Sequence, residues 1–238
     1  KNYFLVAIRN LQRNKVFSTI NIVGLGLGLT CSLLIMLWVL DERSMDQFHV
    51  NKDRLFMVYE KQFFDNKVQG GFGTPGPLAR ELKQILPEVE YSASLGWEDK
   101  TTFQSGDKIL QMTGSYSDSD FFKMYSFPLL EGAPQSALAS PLSLAISRKM
   151  ATAFFGSPQA AIGQTLRADD RRDFKITAVY EDMRKNSTAQ WDYIINWNYL
   201  METADWVKEW DNNGPRTTLM MRKDADPNKV QAKIKNYM

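Results

Sequence analysis

Residues 16–40 read VFSTINIVGLGLGLTCSLLIMLWVL and contain no charged side chain. As an α-helix this stretch of 25 residues is about 37 Å long, at a rise of ~1.5 Å per residue, and the hydrocarbon core of a bilayer is ~30 Å thick. A helix also satisfies its backbone hydrogen bonds internally, as lipid requires. The stretch therefore predicts a transmembrane helix, and the residues after it form a domain tethered to a membrane.

The charges on the two sides of this helix differ and predict its direction. No acidic residue precedes residue 16, whereas Asp41 and Glu42 follow the helix directly. Lys and Arg near a membrane helix are retained on the cytoplasmic side. We therefore expect the N-terminus in the cytoplasm and everything after residue 40 outside it. The basic residues before the helix are Lys1, Arg9, Arg13 and Lys15.

Residues 1–15 have apolar side chains at helical spacing, with Arg9 and Arg13 on another face. This pattern predicts a short amphipathic helix that lies in the cytoplasmic headgroup region. Two other interpretations of the apolar stretch 16–40 are a cleaved signal peptide and a buried core helix. A signal peptide has a shorter apolar run and a small-residue cleavage site, and the run continues well past Cys31, the one residue suited to lipoprotein attachment.

Gly24 and Gly28 lie four residues apart within the predicted membrane helix. Small residues at this spacing let a second helix approach closely, so the pair predicts a helix-packing face. The alternative is the ordinary use of glycine in membrane helices. A dinucleotide-binding fingerprint is excluded because Leu29 stands where its last glycine is needed and no strand precedes it.

The composition excludes several classes of protein. The chain has 29 Lys and Arg against 27 Asp and Glu, a net charge of +2, so no basic stripe favours a nucleic-acid partner. The single cysteine, Cys31, lies in the predicted membrane helix, which leaves the domain without a disulfide. The single histidine, His49, is expected to be a polar connector rather than a catalytic base.

Two local motifs resemble chemical sites but are better explained as turns. Ser105 and Lys108 have the spacing of a serine–lysine nucleophile pair, which needs a helix, whereas Gly106 between them predicts a hairpin turn. The acidic stretch 169–173 lacks the distal glutamate of a calcium loop and carries two arginines, so it predicts a charged hairpin tip. We therefore predict no catalytic residue, metal site or cofactor.

The periodicity of the domain predicts an α+β fold. Strands are expected over 54–64, on both sides of Gly106, on both sides of 169–173 and over 191–199. Helices are expected after Thr74 and Pro75, after Ser147 with Gly156 as a left-handed cap, and from about 200 to Trp210. A final strand and helix follow at 217–222 and 227–237.

Several stretches in order resemble bacterial ABC-transporter permeases of the MacB/FtsX type. The first is NYFLVAIRNLQRNKVFSTINIVGLGLGL, followed by DERSMDQFH and DRLFMV. The resemblance continues through DSDFFKMYSFPLLEG, SLAISRKMATAFFG, AIGQTL and FKITAVYEDMRKNS. It covers nearly the whole chain and rests on the order and spacing of these stretches.

The resemblance implies one N-terminal transmembrane helix followed by a two-lobed periplasmic domain. A porter-like lobe, with its stalk, would comprise residues 41–114 and 181–238, and a small α/β sabre-like lobe, residues 115–180, would be inserted between them. Such permeases usually have four membrane helices, so this chain, with one, is expected to be part of a longer permease in the bacterial inner membrane.

The resemblance also implies a mechanism without catalysis in this chain. A cytoplasmic ABC ATPase subunit would hydrolyse ATP, two permease chains would form a homo- or heterodimer, and the motion would be transmitted to the periplasm. A periplasmic adaptor or lipoprotein is a further implied partner. The stretch 40–53 lacks Gly and Pro, so we expect residues 41–48 to continue the membrane helix as a stalk. The proposed coupling residues are Asp41, Glu42, Asp46 and Phe48.

Two other classes of function remain open at this point. One is a single-span receptor with an extracytoplasmic ligand-sensing domain, although only about 15 residues precede the helix. The other is a membrane-anchored hydrolase, which the scarcity of His and Cys disfavours.

Overall fold

The computed structural model describes residues 2–65, 67–235 and 237. The chain forms two compact units, residues 1–47 and residues 48–238. The first unit contains α1 (Asn2–Arg13) and α2 (Lys15–Ser44). No residue of α2 is buried, and α2 is long and apolar enough to cross a membrane. The prediction of a mixed α and β chain with one N-terminal apolar helix is confirmed.

Helix α2 ends earlier than the sequence predicts. Helix α2 ends at Ser44, and Met45 already has extended backbone angles, with φ −57° and ψ 128°. Asp46 then adopts a left-handed φ of 56°. The hydroxyl of Ser44 donates a hydrogen bond to the carbonyl of Asp41 (2.7 Å), a local bond that competes with helix continuation. The expectation of one helix through Phe48 is therefore wrong.

The second unit is rich in strands. Its helices are α3 (Leu78–Ile85), α4 (Phe121–Met124), α5 (Arg148–Phe155), α6 (Pro158–Ala161), α7 (Trp197–Thr203) and α8 (Pro227–Ile234). Its strands are β1 (Leu55–Met57), β2 (Glu60–Phe64), β3 (Lys67–Gly71), β4 (Val89–Leu95), β5 (Asp99–Ser105), β6 (Lys108–Ser117), β7 (Leu129–Glu131), β8 (Ser143–Ser147), β9 (Thr165–Ala168), β10 (Arg172–Tyr180), β11 (Tyr193–Asn196) and β12 (Arg216–Met221).

Ten of these strands form one sheet in the order β1-β12-β4-β6-β11-β8-β10-β9-β5, with β7 on β10. Because β5 also pairs with β6, the six strands β6, β11, β8, β10, β9 and β5 close into a ring. Pairs β6–β11 and β8–β10 are parallel, and the other pairs are antiparallel. Strands β2 and β3 form a separate hairpin. The main sheet draws strands from all three predicted domain segments, and the division into two lobes stays a prediction.

Hydrophobic side chains fill the unit in several clusters. The strands of the ring contribute Phe103, Leu144, Phe174 and Tyr193, all fully buried, to the largest cluster. On the other part of the sheet, α3 and α8 pack against β4 and β12. That cluster contains Leu78, Leu82, Val89, Leu219 and Val230.

Local turn and cap signals predicted several elements correctly. Ser147 accepts a hydrogen bond from the Met150 amide at the start of α5, and Gly156 ends that helix with φ 85°. Gly106 has φ 56° in the β5–β6 turn. Asp169 and Asp170 are left-handed at the tip of the β9–β10 hairpin. Each signal lies within a few residues of the element that it defines.

Other elements differ from the prediction. The strand expected over 54–64 is divided into β1 and β2, and β3 lies in a stretch that was not predicted as a strand. Thr74 does not cap α3, because its hydroxyl bonds the hydroxyl of Thr217 (2.8 Å) in the interior. The helix expected through Trp210 ends at Thr203 and is followed by a 3₁₀ turn, Asp205–Lys208.

Candidate functional site

The predicted packing residues, Gly24 and Gly28, lie on the same face of α2 because four residues make about one helical turn. A Cβ atom built at either position meets no atom within 4 Å. The nearby hydroxyls are satisfied inside the helix: Thr30 donates to the Gly26 carbonyl (2.8 Å) and Ser32 to the Gly28 carbonyl (2.9 Å). This face is therefore small and open, and its role in helix packing stays a prediction.

The predicted coupling residues do not form one site. Asp41 and Glu42 lie in the last turns of α2, and Asp46 follows the helix in the same unit. Phe48 is the first residue of the second unit. The second unit begins with a segment of seven residues, 48–54, which we call the lead-in segment.

Phe48 packs into the folded domain at its first position. Its ring centroid is 5.8 Å from that of Phe127 in an edge-on arrangement. The guanidinium of Arg184 lies 5.1 Å from the Phe48 centroid, a cation–π contact. The ring is thus held between the segment after α4 and the segment after β10.

His49 is 5 % exposed and lies within an aromatic cluster. Its ring is 5.2 Å from both Tyr125 and Phe127, edge-on to each. Its Nδ1 accepts a hydrogen bond from the backbone amide of Ser126 (3.1 Å). The expectation that His49 is a polar connector is wrong, because the side chain is a buried packing element.

Backbone and side-chain hydrogen bonds fix the rest of the lead-in segment. The Val50 amide donates to Oγ of Ser126 (2.9 Å), and Asn51 donates to the Met124 carbonyl (3.3 Å). Arg54 donates from Nε to the Met221 carbonyl at the end of β12 (2.7 Å). Its guanidinium also pairs with Glu90 on β4. The lead-in segment is therefore joined both to the stretch after α4 and to two strands of the sheet.

An ionic cluster joins α4 to α3. Asp120, at the start of α4, pairs with Lys83 of α3 and with Lys123 (2.8 Å). Both ammonium groups lie 5.4 Å from the ring centroid of Tyr91. Burial is the largest effect on the pKa of Asp120 and raises it, but the hydrogen bonds from the two lysines outweigh burial and lower the pKa. Asp120 is thus held ionised between the two helices.

This arrangement attaches the lead-in segment to the sheet through several independent contacts. Within residues 2–65, 67–235 and 237, no group of three or more His, Cys, Asp or Glu side chains is placed to hold a metal ion. The partners of the lead-in segment, Tyr125, Ser126 and Phe127, were not predicted from the sequence. The signal that could have found them is the aromatic density of the stretch FFKMYSF, residues 121–127.

Comparisons with known proteins agree with this architecture. The sequence profile of the family described as MacB-like periplasmic core domain matches residues 18–237. A search of curated protein sequences finds no match. Among solved structures, a domain assigned to a permease protein of Porphyromonas gingivalis is similar, with 19 % identity, a TM-score of 0.68 and coverage of 79 % of this chain and 81 % of that one.

Two further structures share the fold. The periplasmic region of MacB from Actinobacillus actinomycetemcomitans has 10 % identity and a TM-score of 0.55, covering 82 % of this chain and 86 % of its own. The extracellular domain of the noncanonic ABC-type transporter YknZ from Gram-positive bacteria has 13 % identity and a TM-score of 0.53, with 77 % and 94 % covered. The profile match spans most of the sequence, and the chain therefore belongs to the MacB-like periplasmic core domain family, as its resemblance to MacB/FtsX-type permeases predicts.

Proposed function

We propose that this chain is the membrane anchor and periplasmic part of an ABC-type permease subunit that passes motion from a cytoplasmic ATPase to the periplasm. Export of a substrate across the envelope, or release of one from it, would follow from that motion. In this proposal the chain itself catalyses no reaction. Membership of the MacB-like periplasmic core domain family supports the permease assignment.

The attachment of the lead-in segment is the observation that carries the coupling part of the proposal. Motion arriving at residue 48 reaches the sheet only if that segment is held firmly. His49, Val50 and Asn51 bond the stretch after α4, and Arg54 bonds β12 and pairs with β4. A displacement of Phe48 would therefore move the sheet rather than stretch a loose connection.

The proposal includes partners and a location. Gly24 and Gly28 offer an open small-residue face to a second permease chain or to another helix of the same permease. The basic residues before α2 favour a cytoplasmic N-terminus, in reach of a cytoplasmic ABC ATPase, and a periplasmic second unit at the inner membrane. A periplasmic adaptor or lipoprotein would contact that second unit.

The coupling is tested by inserting Gly-Gly after Arg43, in the permease as its native host makes it, together with its ATPase. Two glycines there add freedom before the end of α2, so we expect ATP hydrolysis to continue while transport or release falls by at least about tenfold. The matched control inserts Gly-Gly between Gly106 and Asp107, in the exposed β5–β6 turn. That insertion should leave both activities unchanged.

Equal transport or release after the Arg43 insertion would contradict the coupling through this connection. The partners are tested separately, by purifying the tagged chain from native membranes. An ABC ATPase in the purified complex supports the permease assignment. A kinase or another signalling output domain in its place would favour the receptor interpretation instead.

A further inference from the structure

A cleft lies between α3 and α7 in the second unit. Its inner part, of about 110 Å³, is lined by Arg80, Ser94, Asp118 and Trp197 among others. Its outer part, of about 440 Å³, is lined by Arg80, Asn198 and Glu202 among others. The outer volume is in the range of small-molecule sites, and the inner volume holds several waters or a small polar group.

Asp118 lies in the inner part with no cationic partner. The backbone amide of Ser94 donates to its Oδ2 (2.7 Å), and among the described residues no Lys, Arg or His forms an ion pair with it. Burial, the largest effect, raises the pKa of Asp118 to about 6, and the charge of Asp120 acts in the same direction, against the smaller opposing effects of the Ser94 hydrogen bonds and the Arg80 charge. A half-buried carboxylate without an ion-pair partner gains from a cation that enters the cleft.

Arg80 is the cationic residue of the same inner part, and no carboxylate of the described residues pairs with it. Its guanidinium donates to the neutral amide oxygen of Asn198 (2.7 Å). Glu81, the other acidic residue of the inner part, accepts a hydrogen bond from the hydroxyl of Tyr237 (2.9 Å). Arg80, which is exposed, and Asp118, which is half-buried, thus present opposite charges to one cavity without forming an ion pair with each other.

The walls of the cleft are partly apolar. Trp197 is 2 % exposed, and Met201 lines both parts of the cleft. Gly76 closes the wall next to α3, where a Cβ atom would overlap the Val207 carbonyl. Apolar walls with a few convergent charged groups are typical of sites that bind and orient small molecules.

We propose that the cleft between α3 and α7 binds a small zwitterion of the α-amino acid type, with its ammonium on Asp118 and its carboxylate on Arg80. The shared chemistry is that of a free amino acid or of a short peptide. The contact to Asp118 is made in a partly buried site, where a hydrogen bond to a charged group is strongest, and the contact to Arg80 is made on the exposed side of the cleft. The site does not depend on the proposed coupling function.

The test is calorimetric titration of the purified full chain, in detergent at pH 7.5, with four probes: L-alanine, N-acetyl-L-alanine, L-alaninamide and trialanine. We expect alanine or trialanine to bind with a dissociation constant of about 1 mM or lower. The tighter of these two identifies the source of the zwitterion. N-acetylalanine lacks the ammonium and alaninamide lacks the carboxylate, so each should bind at least about tenfold more weakly.

Two variants assign the contacts. Asp118→Asn should weaken alanine binding about tenfold or more and remove its advantage over N-acetylalanine, whereas Arg80→Gln should remove its advantage over alaninamide. The control is Glu98→Gln, at an exposed position that does not line the cleft, and it should change affinity less than about twofold. Melting temperatures of the variants show whether each remains folded.

Three results would overturn the site. The first is no binding of alanine or trialanine up to ~10 mM, tenfold beyond the expected limit. The second is equal binding of alanine and N-acetylalanine to the wild-type chain. The third is an equal loss in Glu98→Gln and Asp118→Asn, which would mean that the general negative charge of the domain, and not the inner carboxylate, attracts the ligand.

Discussion

The backbone amide of Ser126 donates a hydrogen bond to Nδ1 of His49, across 77 positions of sequence. Because Nδ1 accepts, the imidazole is neutral and carries its proton on Nε2. The same ring lies edge-on to Tyr125 and Phe127 and next to Phe48. One side chain therefore combines a hydrogen bond and aromatic packing at the first turn of the folded domain.

The first prediction separates these two contributions. His49→Phe keeps a ring but leaves the Ser126 amide without its acceptor, which costs about 1–2 kcal/mol of unfolding free energy. His49→Asn keeps an acceptor near the Nδ1 position but loses the ring contacts, at about 0.5–1.5 kcal/mol per aromatic pair. His49→Ala loses both and should cost about 2–4 kcal/mol. Denaturant unfolding of the purified chain measures all three.

A surface residue would behave differently. If His49→Ala changed the unfolding free energy by less than about 0.5 kcal/mol, the side chain would be acting as an exposed connector, as the sequence predicted. A loss in His49→Ala no larger than that in His49→Phe would mean that the rings contribute nothing and that the hydrogen bond alone holds the segment.

The second prediction concerns the parallel pair of strands that helps to close the ring. Gly114 on β6 is directly opposite Tyr193 on β11, and a Cβ atom at 114 would overlap the carbonyl oxygen of Tyr193 and approach its ring. Tyr193 is fully buried and bonds the hydroxyl of Thr101 (2.7 Å), so it has little room to shift. Gly114→Ala should therefore destabilise the domain by about 1–3 kcal/mol.

Gly71→Ala is the matched control for this substitution. Gly71 also ends a strand pairing, but the nearest atom to its Cβ position, the Gly73 amide nitrogen, is 3.9 Å away. The unfolding free energy of the Gly71→Ala variant should differ from that of the wild-type chain by no more than about 0.5 kcal/mol. Equal effects of the two substitutions, measured by the same denaturant unfolding, would show that the close approach at Tyr193 is not tight.

The elements that the sequence predicted well are those with local signals. Helix α2 is indicated by one continuous apolar stretch. The caps of α5 and the turn at Gly106 are each indicated by residues within a few positions of the element. In contrast, β3 was missed because its end, Gly70 and Gly71, belongs to a glycine-rich stretch that is typical of a loop. Whether a strand forms there depends on pairing with β2, which local propensity does not decide.

The sites were harder to predict than the elements, because their residues meet only in the fold. His49 and Ser126 are far apart in sequence, and so are Arg80, Asp118 and Trp197 of the cleft. No spacing rule connects such residues. The aromatic density of residues 121–127 is the one sequence signal that points to the partners of His49. The predicted coupling residues shared one segment of sequence but were divided between the two units.

The third prediction tests the open face of α2. Replacing Gly24 and Gly28 together with Leu places two large side chains on the face where we expect another helix, so association in lipid should weaken by about 1–2 kcal/mol. Gly26→Leu is the control, because position 26 lies on the opposite side of the helix. Energy transfer between labelled chains in vesicles measures the association.

Two results would count against that face. Association unchanged by the double substitution would mean that the two glycines do not contact a partner helix. An equal loss with Gly26→Leu would mean that bulk anywhere on the helix matters, not the face shared by Gly24 and Gly28.

The fourth prediction concerns the pH dependence of stability, which the half-buried carboxyl of Asp118 should influence. Its pKa is raised to about 6, from an ordinary value of 3.8, so between these pH values the folded chain binds a proton that the unfolded chain does not. This contribution therefore stabilises the fold at low pH and is lost as pH rises through about 6. Asp120, whose pKa is lowered, contributes in the opposite direction, so the wild-type curve alone mixes the two.

The difference between Asp118→Asn and wild type isolates the first carboxyl. The amide is neutral at every pH and can still accept from the Ser94 amide, so the variant should melt about 2–6 °C higher at pH 8. This advantage should shrink as pH falls through about 6 and vanish near pH 4. A constant difference for Asp118→Asn, or one that grows toward low pH, would mean that the Asp118 carboxyl is not protonated in the folded chain below pH 6.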